Sequence, residues 1–159
     1  MRYWVFVFCL SLFSFGLSGV LYTRNNANLR MHSNAANDFD SLELLFVGDI
    51  MLSRSVGAEM RKHGDYAYPF QLIADAVRSA DIAFGNLEGP ISERGENQGS
   101  AYSFRADSRA VEGLEFAGFD VVSLANNHIM DWGAEALQDT IRFLKEKGMA
   151  IDLGGIAKG

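Results

Sequence analysis

Apolar residues in this chain fall into short continuous runs and longer runs spaced three and four apart, and the two kinds alternate. LELLFVG, from Leu42 to Gly48, is nearly continuous, the pattern of a parallel strand buried on both faces. Ser53 to His63 then reads as a short helix with Val56 and Met60 on one side. After an aromatic loop, Pro69 and Phe70 lead into QLIADAVRSA, where Leu72, Ile73, Ala76 and Val77 recur at helical spacing. A second strand is predicted over Asp81 to Gly85, and Ile91 to Ser103, rich in Gly, Glu, Asn and Ser, reads as a surface loop. Ser108 opens a helix with Val111, Leu114 and Ala117 inward and Gly118 as its stop. A third strand, Phe119 to Leu124, precedes the clearest helix, Ala134 to Lys147, with Leu137, Ile141 and Leu144 as its stripe and an Arg142–Glu146 pair. Ala150 to Leu153 forms a fourth strand. The alternation predicts an α/β fold with a mostly parallel sheet and right-handed crossovers.

The N-terminal pattern is different. Residues 3–23 carry no charge and are long enough to cross a hydrocarbon layer as a helix. Arg2 marks the cytoplasmic side, and Gly16, Ser18 and Gly19 offer a processing site. Residues 1–23 are therefore expected to be a signal anchor or a cleaved signal peptide. Either places the remainder outside the cytoplasm, held at the cell membrane or secreted. Residues 24–41, rich in asparagine, read as a polar linker, and residues 42–159 as the folded domain.

Composition narrows the function classes. The net charge of −6, with 14 basic against 20 acidic residues and no basic run, excludes a nucleic-acid footprint. A hydrophobic fraction of 48% excludes a disordered chain. The single cysteine, Cys9, lies in the leader, so no intrachain disulfide forms.

Three successive strands finish in polar clusters: Gly48-Asp49, Gly85-Asn86-Leu87-Glu88, and Asn126-Asn127-His128 with Asp131. In a parallel sheet the carboxyl ends of the strands share one edge, which brings these clusters together. Asp49 and Glu88 are hard oxygen ligands, and Asn86 can add an amide oxygen. Asn127 can bind metal or a substrate oxygen. His128 either ligates a divalent metal, oriented by Asp131, or protonates a leaving group. Asn126 reads as a helix cap. Arg54 and Arg105 can each hold a phosphate or carboxylate in a bidentate fork. Tyr66, Tyr68 and Tyr102 read as packing residues. Metal-dependent hydrolysis of a phosphoester-type linkage is the activity this pattern favours.

Residues 44 to about 155 resemble the N-terminal part of the CapA, or poly-γ-glutamate capsule synthesis, family, which is related to the calcineurin-like metallophosphoesterases. The resemblance rests on Gly48-Asp49-Ile50-Met51-Leu52, Gly85-Asn86-Leu87-Glu88-Gly89-Pro90-Ile91, Tyr102-Ser103-Phe104-Arg105, and Gly118-Phe119-Asp120-Val121-Val122-Ser123-Leu124-Ala125-Asn126-Asn127-His128 followed by Asp131, Trp132 and Gly133. It implies the N-terminal half of a four-layer α/β/β/α sandwich. Asp49 and the Asn86/Glu88 pair would hold a divalent metal (Mn, Fe or Zn), Asn127 would contact metal or phosphate, and His128 would assist the leaving group. Met51 stands where the classical first motif has a histidine. The family continues with further histidine motifs, so residues 42–159 are expected to be a partial domain. The implied role is capsule or poly-γ-glutamate synthesis, either as a hydrolase acting on a phosphoester or anionic polymer, or as a noncatalytic membrane-anchored component of a polymer synthesis and export complex. The implied partners are the envelope polymer, its synthesis machinery and, through residues 3–23, the membrane.

Overall fold

The computed structural model describes residues 41–154. The expected leader, and all of the linker but Ser41, lie outside the described residues. Among the described residues no helix is long and apolar enough to cross a membrane. The elements follow the predicted alternation: β1 (Leu44–Ile50), α1 (Arg54–His63), a 3-10 turn (Tyr68–Phe70), α2 (Ala74–Ser79), β2 (Ile82–Leu87), α3 (Ala110–Ala117), β3 (Val121–Ser123), α4 (Gly133–Glu146) and β4 (Ala150–Asp152). The four strands make one parallel sheet in the order β1-β2-β3-β4.

That order decides where the core sits. Each strand is added on the same side of the previous one, and right-handed crossovers moving in one direction place every connecting helix on the same face. Leu45, Ile50, Ala83, Leu87 and Val122 point into this covered face, against Met60, Phe70, Val77, Leu114 and Leu144. The opposite face is bare: Leu44, Phe46 and Ile82 are 47%, 53% and 38% exposed. The expectation that β1 is buried on both faces is thus corrected, because a sheet wound in one direction has helices to cover only one side.

Several boundaries shift for local reasons. The helix expected over residues 71–80 is only Ala74–Ser79, and Leu72 is 99% exposed. The 3-10 turn, with Pro69 in its first turn, buries Phe70 and sets the phase so that Ala74 and Val77 face inward instead of Leu72 and Ile73. Gly118 closes α3 in the left-handed conformation as predicted, but the helix starts at Ala110, not Ser108. The loop after β2 is not wholly at the surface, since Ile91 and Ser92 are buried and Ile91 bridges to Ala106.

α4 explains that burial. Its inward side includes Asp139 and Thr140 beside Ala136 and Leu144, while Leu137 and Ile141 are only partly buried. The Thr140 hydroxyl accepts from the Ile91 N–H at 2.9 Å, and Asp139 accepts from Ser92 Oγ at 2.7 Å and from Arg94 Nε and Nη2 at 2.9 and 2.6 Å. Arg142 makes its expected bond to Glu146 at 3.2 Å and a second to Asp139 at 3.1 Å. Across the core, the buried Tyr66 hydroxyl donates to Asp107 at 2.6 Å; burial and then this carboxylate hold the phenol above its ordinary range.

Candidate functional site

The carboxyl ends of the strands form a polar row. Asp49 pairs with Asn86, Asn86 with Ser123, and Ser123 with Asp152. β1 runs two residues past the predicted Gly48, so Asp49 lies within the strand, just after an irregularity in the β1–β2 pairing between Phe46 and Asp49. That shift sets Asp49 opposite Asn86. In an extended chain residues two apart share a side, so Asn86 and Glu88 point the same way. Asn86 Nδ2 donates to Asp49 Oδ1 at 2.8 Å and to Glu88 Oε2 at 2.7 Å.

The orientation of the Asn86 amide follows from backbone groups that cannot exchange roles. The His128 N–H donates to Asn126 Oδ1 at 3.0 Å, and the Leu87 carbonyl accepts from Asn126 Nδ2 at 2.9 Å. An N–H is always a donor and a carbonyl always an acceptor, so Asn126 has one permitted orientation. Its Nδ2 also donates to Asn86 Oδ1 at 3.0 Å, leaving Asn86 Nδ2 to face the two carboxylates. Asn126 therefore ties the ends of β2 and β3 together. Reading it as a plain helix cap missed this role; the available signal was a pair of adjacent asparagines at a strand end, of which only one can face the rim.

His128 and Asp131 are joined as the sequence suggested. His128 Nδ1 lies 2.8 Å from Asp131 Oδ2, and Asp131 is 2% exposed. Asp131 also accepts from the Phe104 N–H at 2.8 Å and from Ser100 Oγ at 2.9 Å. A buried carboxylate beside Nδ1 favours the proton there and leaves Nε2 facing the rim, 3.6 Å from Glu88 Oε1. The Phe104 ring rests on the imidazole with centroids 4.2 Å apart. Gly89, at φ 99°, allows this packing, because a Cβ there would sit 2.8 Å from Phe104 Cβ.

The other candidates separate. Arg54 is exposed, with its guanidinium carbon 5.8 Å from the Phe104 ring centre and 5.9 Å from that of Tyr102. Arg105 instead stacks on Trp132 at 3.5 Å and donates to the Arg94 carbonyl at 3.3 Å, bracing the loop after β2. Asn127 is exposed and makes no side-chain hydrogen bond among the described residues, whereas Asn126 carries the network.

Whether a divalent metal fits can be tested on the donors. Asp49 and Glu88 have suitable oxygens, but the group between them is an amide NH2, a donor that competes with a cation for the same lone pairs. Met51 supplies a thioether that accepts from Ser53 Oγ at 3.2 Å, not an imidazole. Among the described residues no group of three or more His, Cys, Asp or Glu is placed to hold a metal ion. As arranged, the donors among the described residues do not by themselves make a metal centre.

Residues 43–156 match a protein family described as bacterial capsule synthesis protein PGA_cap. The chain is 34% identical over 111 residues to the capsule biosynthesis protein CapA of Bacillus anthracis, covering 67% of this chain and 27% of that protein. It is 31% identical over 114 residues to the PGA biosynthesis protein CapA of Bacillus subtilis, covering 70% and 30%. An uncharacterized protein, y4sH, of Sinorhizobium fredii is 34% identical over 124 residues, covering 74% and 25%. The chain thus spans between a quarter and a third of the length of these relatives.

Proposed function

From the premise that this chain belongs to the PGA_cap family of bacterial capsule synthesis proteins, we propose that its strand-end rim is an acid–base site acting on a phosphoester or other linkage of an anionic envelope polymer. The observation that carries the reading is the His128 imidazole, fixed at Nδ1 by the buried Asp131 and facing the rim at Nε2, 3.6 Å from Glu88 Oε1. In a hydrolysis, Nε2 takes a proton from water as the water oxygen attacks the linkage, then returns it to the leaving atom. Asp131 holds the ring and stabilises the imidazolium formed in between. Asp49 and Glu88, joined through Asn86, give the rim a fixed wall against which a polar substrate group can settle. No step is assigned to a metal.

A second reading has its own support. The bare sheet face with Leu44, Phe46 and Ile82 is suited to contact with further protein. In the four-layer sandwich implied by the family resemblance, a second sheet would cover this face. In the noncatalytic alternative, a membrane-anchored member of a polymer synthesis and export complex would use it to meet a partner.

The Asp131→Asn variant separates the two. It keeps an oxygen for the Phe104 N–H but removes the charge that orients and stabilises the imidazole. Cleavage of phosphodiester and γ-linked glutamate substrates by the purified protein is expected to fall about 10- to 100-fold. An unchanged rate in the variant, or no cleavage by the unaltered protein, favours the noncatalytic role.

A further inference from the structure

The one non-glycine residue with positive φ among the described residues is Arg54, at 53°. A left-handed conformation costs energy for any residue with a Cβ, and such strain persists where the surroundings or the function require it. Arg54 bears a second cost. It is the first residue of α1, where the helix dipole is positive, and the first turn holds no acidic residue to offset the charge. No ion pair or hydrogen bond of its guanidinium occurs among the described residues. Among the described residues Arg78, Arg94, Arg109 and Arg142 pair with carboxylates, whereas Arg61 and Arg105, like Arg54, do not. What holds Arg54 is the pair of rings of Tyr102 and Phe104, both near the outer limit of a cation–π contact.

The position of this cation is specific. Phe104 is the ring common to both groups: its centre lies 5.8 Å from the Arg54 guanidinium carbon and 4.2 Å from the centre of the His128 imidazole. An anionic substrate approaching His128 meets the carboxylates of Asp49 and Glu88, which repel it. Arg54 is the neighbouring group that can offset this, and its planar fork matches a carboxylate or phosphate. Tyr102, 65% exposed, offers a flat apolar surface beside the fork for the carbon chain of the bound unit.

We propose that Arg54, Tyr102 and Phe104 form an anion-recognition subsite beside His128, which takes a carboxylate or phosphate of the substrate and sets the adjacent linkage against Nε2. The subsite rests on the acid–base reading of the rim, yet binding and turnover can be measured apart.

Titration calorimetry on the whole chain with a γ-linked glutamate oligomer, with inorganic phosphate and with a neutral oligosaccharide tests it. Arg54→Gln is expected to weaken anion binding tenfold or more, about the worth of one charge-assisted hydrogen bond. His128→Asn is expected to leave that binding unchanged while turnover falls. Arg54→Gly should lose binding equally but melt no lower than the unaltered protein, since glycine adopts the left-handed conformation freely. Tighter binding of the oligomer than of phosphate assigns the subsite to carboxylates, and the reverse order to phosphates. Anion affinity unaffected by Arg54→Gln, or equal affinity for the neutral oligosaccharide, overturns the proposal. Loss of turnover in His128→Asn with anion affinity unaffected in Arg54→Gln removes the subsite and leaves the acid–base reading standing.

Discussion

Replacing His128 with asparagine is expected to slow cleavage by roughly 10²- to 10⁴-fold, the range for loss of a positioned general acid–base group. Asparagine can still donate to Asp131 but cannot accept and return a proton near neutral pH. The fold should tolerate the change. His128 has its main ring contact with Phe104, and its backbone N–H bond to Asn126 does not depend on the side chain. Thermal melting within a few degrees of the unaltered protein, alongside the lost rate, marks the residue as chemical. Equal rates for the two proteins would remove His128 from the reaction.

The second large effect is on stability. Asp139 is 3% exposed and accepts from Arg94, Ser92 and Arg142, joining α4 to the loop that follows β2. The hydrogen bonds from Arg94 lead in holding its carboxyl well below the usual carboxylate range; burial opposes them, and Ser92 and Arg142 add to them. Asp139→Asn leaves two guanidinium groups facing an amide. Both arginines are more than half exposed, so water recovers part of the loss. About 2 kcal/mol of destabilisation near neutral pH is expected, less than for breaking a fully buried pair.

The pH dependence follows from the direction of the shift. The folded-state pKa is depressed, so the stabilisation is complete above the unfolded value near 4 and fades as pH falls from there toward the folded value. Denaturant midpoints for the two proteins should therefore differ most at neutral pH and converge in acid. A gap that stays constant from pH 7 to pH 2 would assign the effect to packing.

The order of strands and helices was legible because each strand is a compact apolar run and each helix has a 3.6-residue stripe. What periodicity does not contain is which sheet face is covered. Leu42 to Gly48 reads as buried on both sides, yet the one-directional order β1-β2-β3-β4 leaves Leu44 and Phe46 exposed. The phase of α2 was lost to the 3-10 turn at Pro69, a local backbone event that a hydrophobic pattern does not register. Buried polar contacts also escaped notice, since Asp139 and Thr140 look like outward residues of an amphipathic helix until the Ser92 and Ile91 groups they satisfy are seen.

The candidate site was legible in part for a related reason. Parallel strands deliver their carboxyl ends to one edge, so Asp49, Asn86, Glu88, His128 and Asp131 converge from three separate segments. Which of two adjacent asparagines joins the rim network, and which of two arginines lies near the Phe104 ring that packs on the imidazole, depends on side-chain direction after the chain leaves the strand. The bridging role of Asn126 therefore emerges only in three dimensions, as does the difference between the two arginines named from the sequence: Arg54 lies near Phe104, and Arg105 stacks on Trp132.

Proton transfer at the rim requires one tautomer of His128, which ¹⁵N NMR of the imidazole reads directly. With the ring neutral, Nδ1 is expected to carry the proton in its bond to Asp131, and Nε2 to show the shift of an unprotonated nitrogen. A neutral ring protonated at Nε2, with Nδ1 bare beside the Asp131 carboxylate, would contradict the assignment of Nε2 as the proton-transfer atom.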